Sequence, residues 1–143
     1  MRNLITDVAG LSVGNAHNPN VCSGVTVAVF DEPAVASIAI HGGAPGVCDT
    51  ALLEPEASVE KVDALFLSGG SAFGLSAGGG VLAYLREKGR GFQVGDIHVP
   101  IAPGAVLFDL AQAGATDWSG IPPWWELGYR AAAEAGGRLD LGT

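Results

Sequence analysis

The sequence predicts one domain of the α/β class, and three observations support this prediction. Residues 25–30 alternate β-branched with small side chains, as a half-buried strand does. Residues 64–67 form a continuous apolar run typical of a buried strand, and the glycine turn after them leads into a helix predicted at 72–88. Pro122 and Pro123 can open a last helix at 124–135. Strands and helices in one short chain define the class.

Further strands are expected at 3–8, 35–40, 92–94 and 105–110. The Asp31-Glu32-Pro33 segment has turn chemistry, so residues 25–30 and 35–40 are predicted to pair as a hairpin. The other expected features are a glycine-rich loop at 41–49, a short helix or turn at 54–63, and Gly89 as the end of the helix at 72–88.

Composition and charge limit the classes of function. The chain has 143 residues, of which 48% are hydrophobic and 15% charged, so it can bury a core and is not a disordered tail. Its net charge of −8 repels phosphate backbones, and no run of Lys or Arg offsets that charge. A nucleic-acid partner is therefore not expected.

Neither a disulfide framework nor a metal site is expected. Cys22 and Cys48 are too few for a framework. His41, Cys48, Asp49 and His98 lack the spacing of a zinc site, and no cofactor motif is present, so no metal or cofactor is predicted. The first ten residues lack a signal region and no apolar run is long enough to span a bilayer. A cytoplasmic protein without a membrane partner is expected.

The sharpest local feature is the segment 65–74, which reads LFLSGGSAFG. A strand, a glycine turn and a helix start can present backbone N–H groups to an anion or an oxyanion. A small nucleotide- or anion-binding module is one interpretation, although neither the G-x-G-x-x-G pattern nor the P-loop pattern is present. The other is a turn in which glycine supplies positive φ.

Ser71 invites comparison with the nucleophile elbow G-x-S-x-G, but Phe73 stands where the last glycine is needed. A triad would also need one of three histidines, with Asp96 or Asp109 as the acid, and no spacing singles out a set. Ser71 is predicted to be a helix N-cap instead. The tryptophans, which are Trp118, Trp124 and Trp125, are expected to close a core edge or a subunit interface.

Four blocks in order resemble one known family. They are GLSVGNA at 10–16, GGAPG with DTALL at 42–53, VDA with SGGSAFGL at 62–75, and VPIAPGAVLFDL at 99–110. Together they cover nearly the whole chain. On these motifs the chain is identified as a member of the DmpA-type L-aminopeptidase/D-esterase family, which includes β-peptidyl aminopeptidases and nylon-oligomer endo-hydrolases.

The resemblance implies a four-layer α/β/β/α sandwich of the N-terminal-nucleophile-hydrolase type, in a precursor that cuts itself into two chains. The new N-terminal Ser or Thr acts as nucleophile, with its own amino group as base. That residue is expected beyond Thr143, so residues 1–143 are an incomplete domain, the N-terminal portion of the larger subunit, and inactive alone. The partners implied are the downstream chain and further copies of the pair, as a tetramer. The alternating pattern at 138–143 also suggests that more protein follows.

The pocket candidates in this chain are Ser71, Ala72, Phe73, Gly74 and Phe108. Nylon-oligomer hydrolases have Tyr-Asp where this chain has Phe108 followed by aspartate, which removes a hydroxyl that can donate to an oxyanion. Residues 47 and 48, Val and Cys, replace the family's Thr-Arg. The resemblance therefore implies amide hydrolysis by the completed protein. The alternative is an inactive scaffold or assembly subunit.

Overall fold

The protein is described by a computed structural model of residues 3–111, 116 and 118–135. Its strands are β1 (Leu11–Asn18), β2 (Ser23–Ala34), β3 (Val47–Cys48), β4 (Val62–Ser68), β5 (Phe92–Val94), β6 (Ile97–Val99) and β7 (Gly104–Val106). Its helices are α1 (Ser71–Gly74), α2 (Ala77–Glu87) and α3 (Trp124–Ala133), with short 3-10 helices at Ile5–Asp7 and Thr50–Leu53.

Five strands form the main sheet in the order β1-β2-β4-β7-β3. Neighbouring strands are antiparallel except β4 and β7, which run parallel. A separate two-stranded sheet pairs β5 with β6. Strands and helices therefore mix as predicted for the α/β class.

One face of the main sheet is covered by α2 and α3. Alternate residues of β2, namely Val25, Val27 and Val29, point to these helices because side chains alternate along a strand. Phe66 on β4 joins them, and Leu127 of α3 packs from the helix side. The core lies between this sheet face and the two helices.

The opposite face of the main sheet is partly open. Thr26, Leu67 and Ala105 are neighbours in the register and share this face, and the side chain of Leu67 is 63% exposed. An apolar cleft of about 200 Å³ lies here, with Ile38 and Leu53 among its lining residues. A sheet with one covered face and one open apolar face has room for a further layer.

The strand predicted at 3–8 is wrong. Residues Ile5–Asp7 form a 3-10 turn, and the backbone N–H of Leu4 donates to the carboxylate of Asp7 at 3.3 Å. Gly10, at φ 83°, then reverses the chain, and the strand begins at the next residue as β1. A local side-chain hydrogen bond has competed with strand pairing.

The strand predicted at 25–30 is confirmed, but the hairpin with 35–40 is wrong. β2 runs on through Asp31, Glu32 and Pro33, and its neighbours are β1 and β4. The N–H of Asp31 donates to the carbonyl of Gly10 at 2.9 Å, so this segment is paired rather than turned. Residues 35–40 form no regular element.

The helix predicted at 72–88 is present but interrupted. Its first turn is α1, and α2 begins only after Leu75 and Ser76. The Ser76 hydroxyl donates to the carbonyl of Phe73 at 2.7 Å, and the backbone bonds here are of the shorter i to i−3 type. Gly89 follows the end of α2 as predicted. It has φ 67°, and its N–H donates to the backbone carbonyl of Arg86.

The remaining predictions are confirmed in part. The strands at 64–67 and 92–94 and the helix at 124–135 are present as β4, β5 and α3. Residues 54–63 contain turns and the start of β4 but no helix. The strand predicted at 105–110 is shorter than expected, because β7 ends at Val106. Strand β6 was not predicted. Gly136 and Gly137, predicted to end α3, and the pattern at 138–143 lie outside the described residues.

No helix within the described ranges is both long and apolar enough to cross a membrane.

Candidate functional site

The turn after β4 is held by hydrogen bonds from three successive backbone N–H groups. The N–H of Gly69 donates to the carbonyl of Gly24 at 3.0 Å, and that of Ser71 donates to the carbonyl of Leu107 at 3.0 Å. Between them, the N–H of Gly70 donates to Oδ1 of Asp109 at 2.7 Å. All three donors are used within the chain, so none of these three N–H groups is open to an external anion.

Asp109 links this turn to distant parts of the chain. Its second carboxylate oxygen accepts a hydrogen bond from the hydroxyl of Ser23 at 2.7 Å. The indole N–H of Trp124 donates to the same hydroxyl oxygen at 2.9 Å. The resulting network, formed by Gly70, Asp109, Ser23 and Trp124, joins the start of β2, the turn after β4, the segment after β7 and the start of α3. We call it the Asp109 network.

Both turn glycines are required by the space around them. A Cβ at Gly69 would lie 2.1 Å from Oδ2 of Asp109 and 2.1 Å from the hydroxyl oxygen of Ser23. A Cβ at Gly70 would lie 2.2 Å from the Trp124 ring, and Gly70 also has φ 82°. Larger residues would therefore expel the groups that form the network.

A cleft of about 350 Å³ borders the Asp109 network. Its lining residues are His17, Asn18, Pro19, Cys22, Ser23, Gly24, Gly69, Leu107 and Asp109. The carboxylate of Asp109 is the one carboxylate among them, and both of its oxygens already accept hydrogen bonds. Asp109 therefore shapes the cleft wall by positioning the turn.

The structure brings the predicted pocket residues into two adjacent segments. Ser71, Ala72, Phe73 and Gly74 form α1, which is joined to the segment holding Phe108 by the Ser71 to Leu107 backbone bond. Ala72 and Phe73 are exposed, and the Phe108 side chain is 70% exposed. Gly74 is buried, because its backbone packs against Gly69.

The prediction that Ser71 caps a helix is wrong. Gly70 occupies the N-cap position of α1, without a side-chain cap, and Ser71 is the first helical residue. Ser71 has φ 52°, a strained conformation for a residue with a side chain. Its backbone N–H donates to the carbonyl of Leu107. In the described part of the chain, no hydrogen bond joins this hydroxyl to a histidine.

The tryptophans lie at different depths. Trp124 is buried in the core, and the Trp118 ring packs edge-on between Trp124 and Phe73, with centroids 6.0 Å and 5.1 Å away. Trp125 is exposed and stacks on Tyr129. Trp118 therefore connects the core to the exposed ring of Phe73 beside the turn.

The residues considered for a metal lie on separate elements. Cys48 is on β3 and His98 is on β6, which belongs to the other sheet. Among residues 3–111, 116 and 118–135, no group of three or more His, Cys, Asp or Glu side chains is arranged to hold a metal ion.

The Cys48 thiol is expected to react slowly at neutral pH. Burial raises the pKa of Cys48, and the negative charge of Asp49 raises it further, since both disfavour the thiolate. In a Cys22→Ser variant, the rate of alkylation of Cys48 by iodoacetamide should therefore rise with pH to a midpoint above the usual thiol pKa. An Asp49→Asn variant serves as the control and should lower that midpoint; an unchanged midpoint would show that Asp49 contributes nothing.

Sequence reasoning missed most of the Asp109 network. Asp109 was considered only as a triad acid, and Ser23 was not considered at all. Trp124 was expected at a core edge or a subunit interface, and no polar partner was predicted for it. Ser23 lies 86 residues from Asp109 and 101 from Trp124, and no local pattern signals a contact over that separation.

Comparisons with known proteins all lead to one protein family. Residues 3–139 match the family model described as Peptidase family S58. An uncharacterized aminopeptidase of Mycobacterium tuberculosis is 43% identical over 149 residues, which cover 99% of this chain and 42% of the relative. A Mycobacterium leprae protein, also named an uncharacterized aminopeptidase, is 44% identical over 141 residues, which cover 93% of this chain and 38% of the relative.

A 6-aminohexanoate-oligomer endohydrolase of Kocuria sp. is 30% identical over 105 residues, which cover 73% of this chain and 27% of that enzyme. The chain thus spans about two fifths of the length of its mycobacterial relatives. The family resemblance read from the four sequence blocks is confirmed, and this chain belongs to Peptidase family S58, the family of the DmpA-type aminopeptidases.

Proposed function

We propose that this chain is the N-terminal portion of an amide-bond hydrolase whose Ser or Thr nucleophile lies on a downstream chain of the same precursor. The family match over residues 3–139 is the observation that carries the proposal. The relatives are named as aminopeptidases and as 6-aminohexanoate-oligomer endohydrolases, and both names describe cleavage of an amide bond. Amide cleavage through an acyl-enzyme needs a nucleophile, a base and a donor to the oxyanion.

In this proposal the open face of the main sheet receives a second sheet from the downstream chain. The exposed Leu67 and the apolar cleft that it lines support this, because an apolar sheet face gains free energy when a second layer covers it. With α2 and α3 on the other face, the result is the four-layer α/β/β/α sandwich that the sequence motifs imply. The two chains of the processed precursor then share one core.

The turn held by the Asp109 network forms one wall of the substrate pocket. The exposed rings of Phe73 and Phe108 flank this turn, together with the exposed side chain of Leu107, and they provide apolar surface for the chain of an amide substrate. The Asp109 carboxylate does not take the nucleophile's role, since both of its oxygens are engaged. Its role is to fix the position of the wall.

The test uses the complete precursor, purified and allowed to process itself. Intact mass should show two polypeptides, and the protein should release amine from at least one of three substrates: an amino-acid p-nitroanilide, a β-peptide and a 6-aminohexanoate oligomer. A protein truncated after Thr143 is the control and should release none. Two chains with no turnover of any of these substrates would favour an assembly subunit, while turnover by residues 1–143 alone would exclude a downstream nucleophile.

A further inference from the structure

Ser71 keeps a side chain at a position where glycine would be less strained. Its φ is 52°, in the left-handed region that residues with a Cβ rarely adopt. The preceding residue, Gly70, has φ 82° and is glycine, as that angle and the nearby Trp124 ring require. Strain of this kind is found most often at functional sites. The side chain of Ser71 therefore needs an explanation beyond the fold.

The hydroxyl of Ser71 makes no hydrogen bond within the described residues, unlike those of nearby serines. The hydroxyls of Ser68 and Ser76 each donate to a backbone carbonyl, at 2.9 Å and 2.7 Å. In the described part of the chain, the buried side-chain atoms without a partner are Oγ1 of Thr6 and Nε1 of Trp118. Ser71 is half-buried and is not among them, so its hydroxyl is unpaired and still within reach of another molecule.

The wall formed by residues 69–74 and 107–109 has few groups that can donate a hydrogen bond to a substrate. Ser71 has the one side chain in these two segments that carries an O–H or N–H group at neutral pH. Three successive backbone N–H groups of the turn already donate within the chain. The Asp109 carboxylate is an acceptor, and both of its oxygens are in use. The Ser71 hydroxyl is therefore the side-chain donor that this wall holds free.

Apolar side chains surround this donor. The backbone N–H of Ser71 donates to the carbonyl of Leu107 at 3.0 Å, which places Ser71 beside the segment that holds Phe108. Phe73 follows two residues later on α1. The side chains of Leu107, Phe108 and Phe73 are exposed and can hold the apolar part of a substrate. A single donor among apolar groups suits one polar atom of that substrate, and apolar surroundings strengthen its hydrogen bond.

We infer that the Ser71 hydroxyl donates a hydrogen bond to the carbonyl oxygen of the amide that is cut, an inference that rests on the hydrolase function proposed above. Attack by the nucleophile's oxygen forms a bond to the carbonyl carbon, and the electron pair of the C=O π bond moves to the carbonyl oxygen. Ser71 stabilises this oxyanion and keeps its own proton. When the electron pair returns, the C–N bond breaks, and the amine leaves with the proton that the base took from the nucleophile.

The test uses the complete, processed protein and compares two substitutions at one position. Ser71→Gly removes the hydroxyl together with the strain, so the urea midpoint should stay the same or rise. Its kcat should nevertheless fall about a hundredfold, which is a usual cost of losing one oxyanion donor. KM should change by less than about threefold, because the hydrogen bond acts chiefly in the transition state. Ser71→Asn tolerates positive φ and carries an N–H donor, so it should recover at least about tenfold of the lost rate.

Ser58→Ala, at an exposed serine before β4, is the control and should leave kcat unchanged. A stable Ser71→Gly protein with the wild-type kcat would overturn the inference and leave the proposed function standing. A wild type that cuts none of the three amide substrates would defeat the proposed function, and the inference with it.

A second readout applies where Ser71→Gly does not process itself. Cleavage of the precursor's own amide bond also forms an oxyanion, so the rate of self-cleavage, followed by intact mass, then replaces kcat. Recovery of self-cleavage in Ser71→Asn would support the role of the hydroxyl as a donor. Failure of both variants to process, with urea midpoints like that of the wild type, would overturn it.

Discussion

A Gly80→Ala variant is expected to lose about 3 kcal/mol or more of its free energy of unfolding, because the two core helices meet there through their backbones. A Cβ at Gly80 of α2 would lie 2.0 Å from the carbonyl oxygen of Trp125 and 2.6 Å from the amide nitrogen of Tyr129, both on α3. These are backbone atoms, so no side-chain rotation relieves the clash. The helices must move apart.

The facing helix α3 also has a glycine with no room for a side chain. A Cβ at Gly128 of α3 would lie 2.2 Å from the carbonyl oxygen of Ala77 on α2. Separation of the helices by the width of a methyl group would loosen the contacts of Leu85 and Leu127, which are buried in the core beneath them. Alanine has a helix propensity about 1 kcal/mol better than glycine, and this gain does not offset the loss of packing.

Gly79→Ala is the matched control on the same helix. Gly79 is exposed, and a Cβ there would meet only the side chain of Trp125, at 3.0 Å from its indole nitrogen. That side chain is partly exposed and can shift, so the variant should be neutral or gain up to about 1 kcal/mol. Urea unfolding of both variants checks the prediction. Equal changes in the two would show that close backbone packing does not limit this position.

Local sequence signals predicted the elements that a short pattern of apolar residues, glycine or proline defines. The apolar run in β4, the glycine turn after it and the proline-opened α3 were all predicted from short patterns. Residues 31–34 were not, because their turn chemistry describes an isolated segment. In the fold, β2 lies between β1 and β4, and the pairing of the Asp31 N–H with Gly10 outweighs the local preference.

The candidate site also combines a feature that has a local signal in the sequence with contacts that have none. The turn at Gly69 and Gly70 was recognised because the positive φ of Gly70 is a local property that glycine in the sequence indicates. The contact of Asp109 with Ser23 depends on how β2 and the segment after β7 lie in the tertiary structure. No spacing in one sequence encodes that contact. The family motifs implied the four-layer sandwich but gave no partner for Asp109.

The second large effect is expected from Asp109→Ala, which should cost about 2 to 4 kcal/mol of the free energy of unfolding. The substitution removes the acceptor of the Gly70 N–H and of the Ser23 hydroxyl, and unsatisfied donors in a partly buried place cost about 1–3 kcal/mol each. Ser23→Ala should cost about 1–3 kcal/mol, since it also leaves the indole N–H of Trp124 without its acceptor. Asp96→Ala, in the exposed turn between β5 and β6, should change the free energy by less than about 0.5 kcal/mol.

A double-mutant cycle between Asp109→Ala and Ser23→Ala separates the network from two independent losses. Because Ser23 donates directly to the carboxylate, the double variant should lose less than the two single variants added together, by about 1 kcal/mol or more. Under the proposed function, Asp109→Ala should also displace the turn that flanks the proposed pocket, and a shift of 1 Å in such a wall can reduce turnover by the complete protein about a hundredfold. Strict additivity in urea unfolding, or an Asp109→Ala cost no larger than that of Asp96→Ala, would mean that the carboxylate does not hold the turn, and the wall beside Phe73 and Phe108 would need another support.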